Sequence, residues 1–258
     1  MPLARAELES LLRTRRLDRT LTTALPPPDA DSDPEFTVAS TGDMSLDAHL
    51  GGGFPRGQVS ELIGPRSSGR ASVMLSALAA ATARGELTAI VDVLDMFDVE
   101  SAAAAGIDLG RLLWIRGHVI VNAGLCREMN QRAIEQAMRA FALVLQAGNF
   151  GLVVFDAAEA PADAIRRLPF TTWLRLQRMV EGSSTACLLV GSEPMARSAA
   201  GLTLRLRIAD CRLRIEKPGA RFNGRLFEGL DVEARVIRSR AAAHAEQSVS
   251  LQTEAVYA

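Results

Sequence analysis

An α/β fold, with a mostly parallel central sheet flanked by helices and a C-terminal antiparallel β extension, is predicted by three features of the sequence. Short apolar runs of strand length, at 59–63, 87–91, 152–155 and 186–190, alternate with segments of helical periodicity, the pattern that builds a parallel sheet. A glycine-bounded loop, Gly64-Pro65-Arg66-Ser67-Ser68-Gly69-Arg70-Ala71-Ser72, joins the first run to an alanine-rich helical segment. From Leu202 the period becomes two, as expected of antiparallel strands with one buried face.

At 258 residues and 48% hydrophobic, the chain is long enough for one substantial core. A net charge of −1 excludes a globally basic nucleic-acid binder, so any basic surface is local. Cys126, Cys187 and Cys211 are widely spaced, without a C-x-x-C pair or a histidine cluster nearby. That pattern argues against a disulfide framework or a metal site and for a reducing cytoplasm. Acidic residues stand where a signal peptide needs an apolar core, and no apolar run reaches membrane length, so a cytoplasmic protein without membrane contact is expected.

The first element falls within residues 1–25. Leu8, Leu11, Leu12 and Leu17 recur at near-helical spacing among Arg13, Arg15, Arg16 and Arg19, which predicts an amphipathic helix. Pro26-Pro27-Pro28, followed by Asp29, Asp31, Asp33 and Glu35, makes 26–36 an extended linker into a core expected over 37–240.

The loop after the 59–63 strand has the spacing of a phosphate-binding P-loop, Gly-x-x-x-x-Gly-Lys-[Ser/Thr]. In such a loop backbone N–H groups at a helix N-terminus surround the phosphates, the lysine reaches the β- and γ-phosphates, and the hydroxyl ligates magnesium. Here Arg70 stands at the lysine position and Ala71 at the hydroxyl position. A planar guanidinium cannot occupy the point an ammonium takes. Ser72 does not replace Ala71, because one residue along a helix is a rotation of about 100°. The chain's only lysine is Lys217, so arginine bias is an alternative account of Arg70; it does not account for Ala71.

Three segments around the loop resemble bacterial RecA: Ser40-Thr41-Gly42-Asp43-Met44-Ser45-Leu46-Asp47, Leu50-Gly51-Gly52-Gly53-Phe54-Pro55-Arg56-Gly57 and Glu61-Leu62-Ile63-Gly64-Pro65. The likeness is specific over 37–116 and weaker to 238. It implies a RecA-like P-loop core without room for RecA's separate C-terminal domain. RecA also begins with a helix that packs on the neighbouring protomer, which makes Leu8, Leu11, Leu12, Arg15, Arg16 and Leu17 partner-binding candidates. The alternative is a helix folded back on its own core.

The resemblance also locates the remaining chemistry. The strand at 88–92 ends in Asp92, and the residue two further on, where RecA has the glutamate that activates water, is Leu94. Asp95 is adjacent, but successive residues at a strand end point oppositely. The run at 112–115 reads as the next buried strand. A helix follows over 127–146 on Ile134, Met138, Phe141 and Leu145, with Gly148 and Asn149 as its stop. The strand at 152–156 ends in Asp156, the Walker B position that orients magnesium through water. Without the loop hydroxyl, Asp156 reads as a leftover or a structural hydrogen-bond partner. A helix from Leu168-Pro169 carries Trp173, Leu176 and Val180 and closes at Gly182, with Trp173 as a core or interface anchor. After the strand at 186–190, Gly191-Ser192-Glu193-Pro194 lacks RecA's phosphate-sensing glutamine, and the run to Leu202 is short for a DNA-binding loop.

Beyond Leu202, apolar residues alternate with arginine over 202–208, 212–215 and 232–236, read as successive antiparallel strands. The segment 197–240 holds eleven basic and five acidic side chains, the one strongly basic module of the chain. Arg205, Arg207, Arg212 and Arg214 are therefore candidates for weak, sequence-independent DNA contact, against the alternative of a merely solvated face. Residues 241–258 lack a core pattern and are expected to form a mobile tail.

Gly64 to Ser72 and Asp156 thus form a degenerate nucleotide site from which the phosphate lysine, the magnesium hydroxyl and the general base are all missing. No catalytic residue, metal or cofactor is assigned; ATP binding through the loop amides would be weak. This character resembles ImuA, the RecA-like member of the bacterial mutagenesis cassette. The resemblance implies a non-catalytic accessory in damage tolerance and translesion synthesis, with RecA, ImuB or an error-prone polymerase as partners. Two other readings remain open: a divergent DNA-dependent ATPase or recombinase, and a cell-division inhibitor of the SulA type.

Overall fold

The computed structural model describes residues 37–117, 127–213, 227–240 and 248–254. The elements that position the site begin with β1 (Val38–Ala39), α1 (Met44–Leu50) and β2 (Phe54–Pro55). They continue with β3 (Val59–Ile63), α2 (Arg70–Ala83), β4 (Thr88–Asp92), α3 (Val99–Ala104), β5 (Leu112–Arg116), α4 (Arg127–Ala147) and β6 (Leu152–Asp156). The last are α5 (Ala162–Arg166), α6 (Phe170–Val180), β7 (Ala186–Gly191), β8 (Leu202–Leu213), β9 (Phe227–Ser239) and β10 (Ser248–Glu254).

One eight-stranded sheet has the order β10-β9-β8-β3-β7-β6-β4-β5. The strands from β8 to β5 run parallel, whereas β9 and β10 are antiparallel additions. The α/β class is therefore as the sequence predicts. Strands β3, β4 and β7 are buried along their whole length, which is why β4 and β7 carry near-continuous apolar stretches; β3 holds Ser60 and Glu61 buried between its apolar residues. One core lies between the sheet and α1 and α2; the other lies beneath α4, α5 and α6. Trp173 is 3% exposed in that second core, so it is an anchor and not a surface for stacking bases.

Polar ties fix the lead-in to the loop. Asp43 caps α1 by accepting from Leu46 N at 2.9 Å, and Asp47 accepts from Ser40 Oγ at 2.6 Å and Thr41 N at 2.7 Å. Beneath the sheet Arg56 donates to the carbonyls of Val38, Gly151 and Ser184 and pairs with Glu86 at 2.6 Å. Glu61, in the middle of β3 and 1% exposed, accepts from Met195 N, Ala196 N and Thr203 Oγ1, each at 2.7 Å.

Three expectations are corrected. The alternating residues at 202–208 and 212–213 belong to one twelve-residue strand, β8, whose register shifts keep it paired with β9 through changes of phase. The run at 112–115 is an edge strand, with Leu113 44% exposed, because nothing covers its outer side among the described residues. Within the expected tail, Ser248–Glu254 pairs with β9 over its whole length, so the sheet extends past 240. Ser248-Val249-Ser250-Leu251-Gln252 alternates, with Leu251 buried and Val249 packed against the same core, but two apolar positions in so short a stretch are a weak signal. The helix expected within 1–25, the linker over 26–36 and residues 214 and 215 lie outside the described residues.

Candidate nucleotide-loop site

The loop is built at the C-terminal edge of the parallel sheet, the end at which α/β folds bind ligands. Gly64 N donates to Gly191 O at 3.2 Å, so the loop starts where β3 and β7 end together. The chain then turns through Ser67 (φ 58°) and Gly69 (φ 87°) into α2. A Cβ on Gly69 would stand 2.9 Å from Val232 Cγ2, and one on Gly64 would stand 2.5 Å from both Leu206 O and Ser68 Oγ. Glycine is needed at both ends because β8, β9 and the loop's own Ser68 close in on the backbone.

Arg70 opens α2 and its side chain is 6% exposed. Side chains in the first helical turn lean back toward the N-terminus, and its guanidinium crosses to the β6–α5 turn, with Nη1 3.3 Å from Ala158 O and Nη2 3.4 Å from Glu159 Oε1. Burial holds its pKa below the ordinary arginine value, opposed by Glu159 and Asp156. Arg66, exposed on the loop, donates from Nε to Glu159 Oε2 at 2.5 Å. Glu159 is thus shared by two loop arginines. Pro65, Arg66 and Ser67 are exposed, and so are Ala71 and Ser72 on α2. Ser68 is 1% exposed, and its hydroxyl has no hydrogen-bond partner.

The two strand-end aspartates are register partners, Asp92 on β4 and Asp156 on β6. Asp92 is buried and accepts from Phe97 N at 2.7 Å and Trp114 Nε1 at 3.4 Å. Burial pushes the Asp156 carboxyl up to about 6, with the Asp92 charge adding to the effect and the Ala158 N–H and Arg70 opposing it. Half-buried Leu94 packs against the second core. Asp95, at φ 58°, is held by Arg116 through two bonds of 2.7 Å, and that guanidinium lies 4.7 Å over the Trp114 ring. This pair turns Asp95 toward the β5 edge of the sheet.

Magnesium–nucleotide would need an oxygen donor from the first turn of α2 and a free cation at residue 70. Ala71 offers no such oxygen, and the Arg70 guanidinium is engaged with Ala158 and Glu159. The residues present do not fit that ligand in its hydrolytic arrangement. Among the described residues no group of three or more His, Cys, Asp and Glu converges as a metal set, and no helix is long and apolar enough to cross a membrane.

The arginines of the β extension start beside the loop's first residue, since Arg205 is the register partner of Ile63 on β3. Arg205 and Arg207 are exposed on β8, opposite Arg235 and Glu233 of β9. Arg207 pairs with Glu233, while Arg205 stands directly opposite Arg235 in the register, and both line a groove of about 310 Å³ together with Ile237. Arg212 lies on β8 opposite Gly229; Arg214 is outside the described residues, as are Leu8, Leu11, Leu12, Arg15, Arg16 and Leu17. Sequence reasoning missed Glu159 and Arg235. The available signals were an acid just past a strand end that faces the loop, and an arginine in register with another across two alternating strands.

Residues 28–163 match the family described as the RecA N-terminal domain. Protein RecA of Ectopseudomonas oleovorans is 27% identical over 243 residues, covering 85% of this chain and 66% of that protein. Protein RecA of Chlorobaculum parvum is 36% identical over 122 residues, 47% of this chain and 31% of its own length, and that of Chlorobium chlorochromatii is 48% identical over 75 residues, 29% and 21%. The chain therefore spans between about a fifth and two thirds of the length of these curated relatives. The family match takes in more than half of the chain, including the loop and both strand-end aspartates, and on that ground the chain belongs to the RecA N-terminal domain family.

Proposed function

We propose that this protein is a non-catalytic RecA-like accessory of cytoplasmic DNA damage tolerance, working in the manner of ImuA through contacts with RecA, with ImuB or with an error-prone polymerase. The observation that carries the proposal is the position of Arg70, at the phosphate-lysine site yet spent on Ala158 O and Glu159. Ala71 and Leu94 support it, since each removes a further part of the hydrolytic apparatus, and each part supplies several kcal/mol of transition-state stabilisation in a working enzyme. ATP binds weakly at most, through loop amides. The face formed by Arg205, Arg207 and Arg235 adds weak DNA contact.

The test pairs two measurements on the purified protein. ATP turnover with and without single-stranded DNA is expected to be at background, and turnover that disappears in Arg70→Ala would overturn the reading. Binding to RecA, to ImuB or to the polymerase, each tested as purified protein, is expected for the full chain and lost on deletion of residues 1–25. Retention of binding after that deletion would move the partner surface off the N-terminal segment.

A further inference from the structure

The N-terminus of α2 has neither a side-chain cap nor an acidic residue in its first turn, although the helix is fourteen residues long. Its positive end needs a counter-charge. Two arginines, Arg66 and Arg70, stand beside it, and inside the loop the Ser68 hydroxyl is buried without a partner, lying over Gly64. A helix N-terminus, two guanidinium groups and an unmatched buried hydroxyl together make an oxyanion seat. One carboxylate from elsewhere in the chain takes its two guanidinium groups: Glu159, with one oxygen 2.5 Å from Arg66 Nε and the other 3.4 Å from Arg70 Nη2.

We propose that Glu159 is a tethered anion that engages the Gly64–Ala71 loop in place of a free phosphate, so that the loop is closed by the protein's own β6–α5 turn. The proposal rests on the reading that the loop does not serve hydrolysis, and it adds a cause. Arg66 and Arg70 are neutralised by a carboxylate at high effective concentration, against which a diffusing anion must compete. The Glu159 side chain is 27% exposed and follows the end of β6, so it can leave the loop without opening either core. Displacement of Glu159 frees both arginines for a phosphorylated ligand and loosens the turn that carries Ala158. The loop then becomes a site whose occupancy is set by the position of one side chain.

The experiment is calorimetric titration of inorganic pyrophosphate, without magnesium, into the wild-type protein, Glu159→Gln, Glu159→Ala and the double variant Glu159→Gln/Arg66→Ala. Both single variants are expected to bind pyrophosphate at least about tenfold more tightly than wild type. The gain is expected to vanish in the double variant. Affinities within about twofold of wild type in the single variants, or a gain that persists without Arg66, would overturn the proposal. Loss of the fold in both single variants would overturn it too, because the ion pair would then be a structural tie. ATP turnover by the wild-type protein would sink the non-catalytic reading, whereas unchanged pyrophosphate binding without turnover would sink the tethered anion alone.

Discussion

Replacing Asp156 by Asn is expected to stabilise this protein above pH 6 and to leave it unchanged near pH 3.5. In the folded chain burial and the neighbouring Asp92 raise the Asp156 carboxyl from 3.8 to about 6. Below 3.8 the group is protonated in both states and contributes nothing to the pH dependence. Between 3.8 and about 6 the unfolded chain releases its proton while the folded chain keeps it, so stability falls as pH rises, and above about 6 the loss is complete. The gap between the two values corresponds to about 3 kcal/mol. Asparagine removes the ionisation and keeps an oxygen for the Ala158 N–H, which Asp156 Oδ1 now accepts at 3.0 Å. Urea unfolding of both proteins from pH 3.5 to 8 tests this. The curves are expected to coincide at the acid end and to separate by up to about 3 kcal/mol at pH 7.5, an increase of several degrees in Tm for a chain of this size. A difference that is flat with pH, or a wild type that is more stable above pH 6, would refute the argument that the aspartate is held against its ionisation.

Three further substitutions test other parts of the structure. Arg56→Ala is expected to cost about 2 kcal/mol in denaturant unfolding, since it removes a buried guanidinium that ties Glu86 to the carbonyls of Val38, Gly151 and Ser184, although Glu86 keeps Arg84 and Gly151 O keeps the Ala186 N–H; a cost below 1 kcal/mol would show that the guanidinium is dispensable. Glu61→Ala is expected to cost about 3 kcal/mol by the same measurement, because two backbone N–H groups and the Thr203 hydroxyl lose a charged acceptor inside the core. Arg235→Glu places an acid directly opposite Arg205, and is expected to raise stability by about 0.5 kcal/mol while lowering the salt concentration at which the protein leaves a polyanion column. An unchanged elution would dissociate that arginine face from anion binding.

The sheet was readable from sequence wherever strands are buried on both faces, because β4, β6 and β7 then carry near-continuous apolar stretches between breakers, and β3 keeps Val59, Leu62 and Ile63 around its buried Ser60 and Glu61. The edges were not. On β5 half-buried side chains imitate a core strand, and β10 has too few apolar residues to announce itself. At the loop, spacing and the anomalies at Arg70 and Ala71 are properties of consecutive residues and could be read directly. The destination of the Arg70 side chain could not, since its partners Ala158 and Glu159 are 88 and 89 residues away and reach it only through the parallel register of β3, β7 and β6. Asp156 was recognised by position, but its raised pKa comes first from burial and then from Asp92 at the end of a neighbouring strand, and neither is a property of consecutive residues.

Arg56 gives the base of the sheet an all-or-none character. Its acceptors belong to chain segments 18, 30, 95 and 128 residues away. Each of those loops costs entropy to close, and the guanidinium is compensated for leaving water only when all of them have arrived. A partly assembled sheet would therefore hold a buried, unsatisfied cation, a state that discourages any halfway structure from persisting. The contribution of Arg56 comes with final closure, so it slows unfolding rather than hastening folding, and it serves as a latch on the end of the sheet opposite the loop.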